Sequence, residues 1–200
     1  MARVPVVQRR WQLIEATIAL LAREGVGAAS IRRISEEADV PLGLVHYCFS
    51  SKQELLAETI RQLNTENTAA ARAALTVPAG AGTDLASMLT AAFRAYWALV
   101  ERAPRRQLLT YELNAYALRD KELAPIAEQA HREQRNAVRD LLAEIAAATG
   151  RRWTVPVDDV ARLVLTTTGG ATLNWLNDRD SAAALTTADL VVSALDGLAA

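Results

Sequence analysis

Few side chains in this 200-residue sequence are equipped for covalent or proton-transfer chemistry, and they do not converge. The two histidines, His46 and His131, lie far apart, and the one cysteine, Cys48, rules out an intramolecular disulfide and a cysteine-built metal site. No G-x-S-x-G, H-E-x-x-H, P-loop or dinucleotide-binding glycine pattern is present. Glu128 and Glu133 flank His131 as a candidate metal pair, but AEQAHREQRN reads better as a solvated helix face. The expectation is therefore no enzyme, no metal and no cofactor. What remains is recognition chemistry. In VPLGLVHYCFSSKQELL (40–56), Pro41, Gly43, His46 and Tyr47 sit among Leu42, Leu44, Val45 and Phe49, followed by Ser51, Lys52 and Glu54. A buried helix has no partner for the polar rings, and a solvated loop has no use for the apolar residues. The pattern calls for something that meets the polar groups from outside.

The surrounding periodicity is helical almost throughout. Trp11, Ile14, Ile18 and Leu21 mark one face of an amphipathic helix that Gly25 ends. Ser30 is a good N-cap for a second, short helix with Ile31, Ile34 and Ala38 on one side. Pro41 suits the first turn of a third. Ser51 and Glu54 have the spacing of a reciprocal capping box, opening a longer helix with Leu56, Ile60 and Leu63 on one face. Helix, short turn and helix between Ser30 and Tyr47 is helix-turn-helix spacing, in which the second helix enters the major groove of DNA. The helix starts at Ser30 and Lys52 present free N–H groups suited to phosphate oxygens. Arg32 and Arg33 stand in a first turn where the helix dipole disfavours cations, a placement that is tolerable if an anion comes to meet them.

Composition agrees with a folded, water-exposed chain: 51% hydrophobic and 22% charged residues is a globular balance. No apolar run approaches the roughly 18 residues of a membrane span, and no secretory signal pattern follows MARVPVVQRRWQ, so a cytoplasmic location with no membrane partner is expected. Net charge is −1, but residues 1–52 carry seven bases (Arg3, Arg9, Arg10, Arg23, Arg32, Arg33, Lys52) against five acids (Glu15, Glu24, Glu36, Glu37, Asp39), which leaves −3 for the remainder. So small an excess argues against a sequence-independent, chromatin-like DNA binder, which relies on many phosphate contacts.

SIRRISEEADVPLGLVHYCFSSKQELL resembles the DNA-binding signature of the TetR family of transcriptional regulators, over about Arg10 to Leu63. Ser30 opens the second helix, Ile34-Ser35 matches the packing pair, Ala38-Asp39-Val40 the turn, Gly43 the short recognition helix, His46-Tyr47-Cys48-Phe49 its end, and Ser51-Lys52 the next helix start. Asp39 stands for the usual turn glycine, Pro41 for a common serine cap, and Cys48 for an aromatic residue or histidine. The resemblance implies a DNA-binding set of Ser30, Arg32, Arg33, Pro41, Leu42, Gly43, Leu44, His46, Tyr47 and Lys52. Tyr47 and Lys52 would touch phosphates. Leu42, Gly43, Leu44 and His46 would face base edges or thymine methyls, and Arg32 or Arg33 a base or a phosphate. Arg9 and Arg10 are either a minor-groove arm or a solvated terminus.

TVPAGAGT (76–83) is the clearest break, and with the resemblance it implies a division into a helix-turn-helix domain (1–50), a connecting helix (51–75) and a ligand-binding and dimerisation domain (76–200). Beyond it, Leu85, Leu89, Phe93, Tyr96 and Val100 begin a helix that Pro104 limits. Further helices are expected over about 105–119, 121–148, 157–177 and 186–198. The fold class is all-α: a small three-helix N-terminal domain followed by a larger bundle. The resemblance implies that this bundle pairs with its copy in a homodimer and holds a small-molecule effector. TTTGGATLNWLNDRD (166–180) is similar to the family's pairing helix, and Gly169-Gly170 there fits a close backbone approach. Aromatic and polar residues gather in this half. Phe93, Tyr96, Trp97, Tyr111, Asn114, Asn174 and Trp175 are candidate effector contacts, with Tyr116 and His131 nearby in sequence. The combined reading is a homodimeric repressor, released from a palindromic operator in double-stranded DNA by a mostly apolar organic effector. The alternative is a helical ligand-binding protein that never touches DNA, which leaves Arg32, Arg33, Tyr47 and Lys52 without a shared purpose.

Overall fold

The computed structural model describes residues 5–75 and 84–200; the TVPAGAGT break lies outside them. The described residues form nine α-helices and a short 3-10 turn (Val26–Ala28). The first four are α1 (Val6–Glu24), α2 (Ile31–Glu37), α3 (Leu42–Cys48) and α4 (Lys52–Ala73). The rest are α5 (Leu85–Arg102), α6 (Pro104–Ala117), α7 (Ala124–Ala148), α8 (Val157–Asp178) and α9 (Ser181–Asp196). The all-α expectation holds.

Local chemistry accounts for most boundaries. Ser30 accepts a hydrogen bond from the Arg33 N–H at 3.3 Å and caps α2. Gly25 ends α1 at φ 81, its N–H donating to the Leu21 carbonyl. Asp39 takes the left-handed turn conformation (φ 50) that its position demands. Pro41 stands one residue earlier than expected, at the N-cap of α3. The capping box at α4 is half formed: the Glu54 N–H donates to Ser51 Oγ at 3.0 Å, while the Glu54 carboxylate turns to Ser50. Asp180 caps α9 by accepting from the Ala183 N–H, so α9 begins five residues earlier than the periodicity indicates.

The chain divides into two compact units, neither a single stretch of sequence. The first joins the described residues up to Asn64 with Arg105–Ala130; the second joins Thr65–Pro104 with His131–Ala200. The core of the first unit combines Leu13, Ile18, Ile34, Val45, Phe49 and Leu56 with Leu109, Leu113 and Ala117 of α6. The α1 stripe is rotated relative to the sequence reading. Trp11 is 57% exposed, and Leu13 and Leu20 are buried beside Ile14, Ile18 and Leu21. The second unit has one core of Leu85, Leu89, Leu142, Ile145, Val160 and Leu195, and another around Trp97 and Trp175.

Candidate nucleic-acid interface

Two short helices cannot hold themselves in place, since seven residues is below the length at which a helix is stable alone. Ile34 of α2 and Val45 of α3 are fully buried and pin both helices to α1. With Val45 and Cys48 turned inward, α3 presents Leu42, Gly43, His46 and Tyr47 outward, at spacings of one, four and five. Leu42 is 46% and Tyr47 62% exposed, an unusual placement for large apolar bodies. Pro41 is exposed beside them, whereas Leu44 leaves this face and packs half-buried against the core. Lys52, the first residue of α4, is half-buried with its ammonium 5.7 Å from the ring centre of Tyr116 on α6. Tyr116 thus belongs to this unit and not to a ligand cluster.

The arginines in the first turn of α2 meet anions within the protein. Arg32 pairs with Glu36 at 3.0 Å with 84% of its side chain exposed, and Arg33 pairs with Glu24. Arg23 bridges Glu24 (3.1 Å) and Glu37 (2.7 Å). These cations hold the Glu24 and Glu37 carboxyls below the usual carboxylate range, Arg33 acting chiefly on Glu24 and Arg23 on Glu37. Surface ion pairs contribute little in water, so Arg32 can exchange its carboxylate for a phosphate at small cost.

In the second unit, Phe93 stacks on Trp97 with ring centres 5.7 Å apart and an interplanar angle of 10°, and Trp97 meets Trp175 edge-on at 5.8 Å. The Tyr96 hydroxyl and Thr172 Oγ1 are 2.7 Å apart. Trp175 Nε1 donates to Ser181 Oγ, whereas Trp97 Nε1 is buried and finds no acceptor among the described residues. Four of the seven candidate effector contacts are thus together. Tyr111 and Asn114 are on α6 in the first unit, and Asn174 lies on the exposed side of α8, so these three are outside the cluster. Among the described residues, no three His, Cys, Asp or Glu side chains come together as a cation site. Burial, and then Arg135 and Arg162, hold the His131 imidazole below its ordinary pKa. None of the described helices is long and apolar enough to cross a membrane.

Residues 13–59, which include α2, the turn, α3 and the start of α4, match the family model described as bacterial regulatory proteins, tetR family. The chain carries a tetR-type helix-turn-helix domain near its N-terminus. With that domain the chain is a DNA-binding transcriptional regulator. It is 29% identical, over 88% of both chains, to the HTH-type nicotine-responsive transcriptional repressor HdnoR of Paenarthrobacter nicotinovorans. Among solved structures it is similar to the multidrug binding protein EbrR complexed with imidazole (26% identity, 94% of each chain, TM-score 0.66). It shares its fold with a transcriptional regulator from Rhodococcus sp. Rha1 (22% identity, 95% of this chain and 97% of that one, TM-score 0.71).

One role in this tetR-family domain escapes the sequence. Arg9 and Arg10 do not form an arm: both lie within α1, with Arg9 bonded to Gln12 Oε1 at 2.8 Å. Arg10 reaches 38 residues along the chain to the Cys48 carbonyl, a pairing that no local spacing signals. Cys48 itself is buried, which pushes its thiol pKa up despite Arg10 and Arg9 nearby. Native protein should therefore resist alkylation by iodoacetamide at neutral pH and react only when unfolded. Stoichiometric modification of folded protein within minutes would contradict this burial.

Proposed function

We propose that the chain is a homodimeric repressor that leaves a palindromic operator when a small, mostly apolar organic molecule binds its second unit. The observation that carries the DNA part is the outward face of α3, where Leu42 and Tyr47 stay exposed while Val45 and Cys48 anchor the helix from beneath. On this reading Leu42, Gly43 and His46 face base edges, Tyr47 and Lys52 touch phosphates, and Arg32 and Arg33 trade carboxylates for the DNA backbone. Two copies related by a twofold axis place their α3 helices about 34–36 Å apart, in successive major grooves.

The dimer part rests on α8 and α9. Leu163, Gly170 and Leu173 fall along the exposed side of α8, and Leu185 and Leu190 are exposed on α9. A Cβ on Gly170 would meet no atom within 4 Å, so the close approach that a helical glycine permits is left for another chain. The effector part rests on Phe93, Tyr96, Trp97 and Trp175, where the Trp97 N–H suits a ligand bearing a hydrogen-bond acceptor. The nicotine response of HdnoR and the imidazole complex of EbrR agree with an effector of this kind. Because α4 is one unbroken helix from Lys52 to Ala73, movement begun at its far end reaches Lys52.

The test is retention of genomic DNA fragments by purified protein at two salt concentrations, followed by sequencing. An enriched palindrome that survives the higher salt is the expected result. Tyr47→Phe and Lys52→Ala should each weaken binding to that sequence by about 10–150-fold, the worth of a charge-assisted contact, with the dimer intact. Wild-type affinity in both variants would remove these two residues from the interface. Retention with no preferred sequence that vanishes with salt would favour a sequence-independent DNA binder, and no retention even at low salt the ligand-binding protein that does not act on DNA.

A further inference from the structure

We infer that Arg10 is a positioning residue that fixes α3 against the start of α4, and so sets the aim of the exposed α3 face without itself contacting DNA. The inference rests on the DNA-binding reading above. Last-turn carbonyls of a helix have no following N–H to accept from, and they carry the negative end of its dipole. In α3 the Val45 carbonyl accepts from the Phe49 N–H at 2.8 Å. The Cys48 carbonyl accepts from Arg10 Nη1 at 2.5 Å. The same Nη1 donates to Glu54 Oε1 at 2.9 Å, and the guanidinium carbon lies 4.2 Å from the Phe49 ring centre. Arg10 therefore touches the end of α3, the residue after it and the first turn of α4 with one rigid plane.

Glu54 completes the clamp. Its second oxygen accepts from the Ser50 N–H at 2.7 Å and from the Ser50 hydroxyl at 2.8 Å. Those two bonds, with Arg10, keep the Glu54 carboxyl below the usual carboxylate range, so it is ionised at neutral pH. Arg10 and Glu54 are each about one-third exposed, so solvent screens the pair, and what the pair supplies is geometry more than energy. A lysine offers a point charge with no plane to stack on Phe49 and no fixed N–H directions to hold two acceptors at set angles.

The test uses Arg10→Met, Arg10→Lys and Glu54→Gln in the full chain, with amide hydrogen exchange read first and DNA affinity second. In all three variants the Phe49 and Ser50 amides should exchange about tenfold faster or more, as loss of a charged hydrogen bond implies, while α2 amides keep their rates. Affinity for the DNA fragment retained by wild-type protein should fall by a similar factor. The slope of log affinity against log salt should stay unchanged, since no phosphate contact is lost. Glu54→Gln gives the clearest sign: removing a negative charge strengthens DNA binding if charge alone matters, whereas loss of the clamp weakens it. The Arg10→Met/Glu54→Gln double variant should be no worse than either single one. If Arg10→Met leaves a protein too unstable to assay, Arg10→Lys and Glu54→Gln carry the same comparison. Unchanged Phe49 and Ser50 amides would overturn the clamp whether or not DNA binds. So would a salt slope shallower by about 0.9 in Arg10→Met with tighter binding in Glu54→Gln, which would mark Arg10 as a phosphate contact. If wild-type protein retains no DNA, the operator reading fails and the amide rates alone judge the clamp.

Discussion

Phe49→Ala should destabilise the first unit by about 3–5 kcal/mol, the cost of deleting a fully buried ring. Phe49 is among the largest side chains with essentially no exposure, and it sits in the same core as Leu13, Ile34, Val45 and Leu56. Its loss removes the transfer energy of the ring and leaves a cavity that α3 and α4 cannot both collapse into while Val45 and Leu56 hold them. It also takes away the platform under the Arg10 guanidinium. For a chain of this size the melting temperature should fall by roughly 6–20 °C, followed by circular dichroism, and DNA binding should fail with it. Phe49→Leu, which keeps apolar volume but not the aromatic face, should lie between wild type and Phe49→Ala. A melting point within about 2 °C of wild type in Phe49→Ala would mean that the ring contributes little to this core.

The second large effect is expected at the outer faces of α8 and α9. Leu173 is 46% and Leu190 68% exposed, and the two helices pack against each other with these leucines directed outward. In a twofold dimer the pair Leu173→Glu and Leu190→Glu brings four carboxylates into an apolar contact, where each unpaired charge costs several kcal/mol. Sedimentation at micromolar concentration should find monomers. Operator affinity should drop by about 10²–10⁴-fold, because each half-site is then bound without the effective concentration that linkage provides. Leu118→Glu, in the turn just after α6 at a position 75% exposed, is the control and should leave the assembly as in wild type. A doubly substituted protein that remains dimeric would place the interface elsewhere.

How far the sequence anticipates the structure depends on how local the cause is. The Ser30 cap, the Gly25 stop and the left-handed Asp39 follow from chemistry within four residues, and all are where the sequence puts them. The outward set of α3 was only partly legible: Leu42, Gly43, His46 and Tyr47 point outward, whereas Leu44, expected with them, turns to the core one residue before buried Val45. Trp11 misled because a large aromatic counts as apolar in any periodicity, although its neighbours Leu13 and Leu20 fill the space. The acidic partners of Arg32 and Arg33 stand four and nine residues away, and a first-turn cation by itself points equally to an anion outside the chain. Arg10 meeting Cys48, and Tyr116 lying beside Lys52, depend on packing between helices 38 and 64 positions apart, which no spacing rule encodes. The aromatic cluster was partly legible for the same reason: Phe93, Tyr96 and Trp97 share a helix turn, while Tyr111 and Asn114 follow closely in the chain but belong to the other unit.

The interleaving of the two units limits how this regulator can be recombined. Leu109, Leu113, Ala117 and Leu123 complete the core beneath the helix-turn-helix, although they come from well beyond residue 75. A chimaera joined in the 76–83 stretch would seat its reading head on a foreign α6, with mismatched side chains under Leu56 and Phe49. Exchange of operator specificity between relatives therefore requires transplanting two segments, Val6–Asn64 and Arg105–Ala130, as one cassette. The same arithmetic acts on evolution: a single crossover in that stretch yields a mispacked hybrid, so on the proposed reading of α3 point changes on its surface are an easier route to new specificity than domain shuffling.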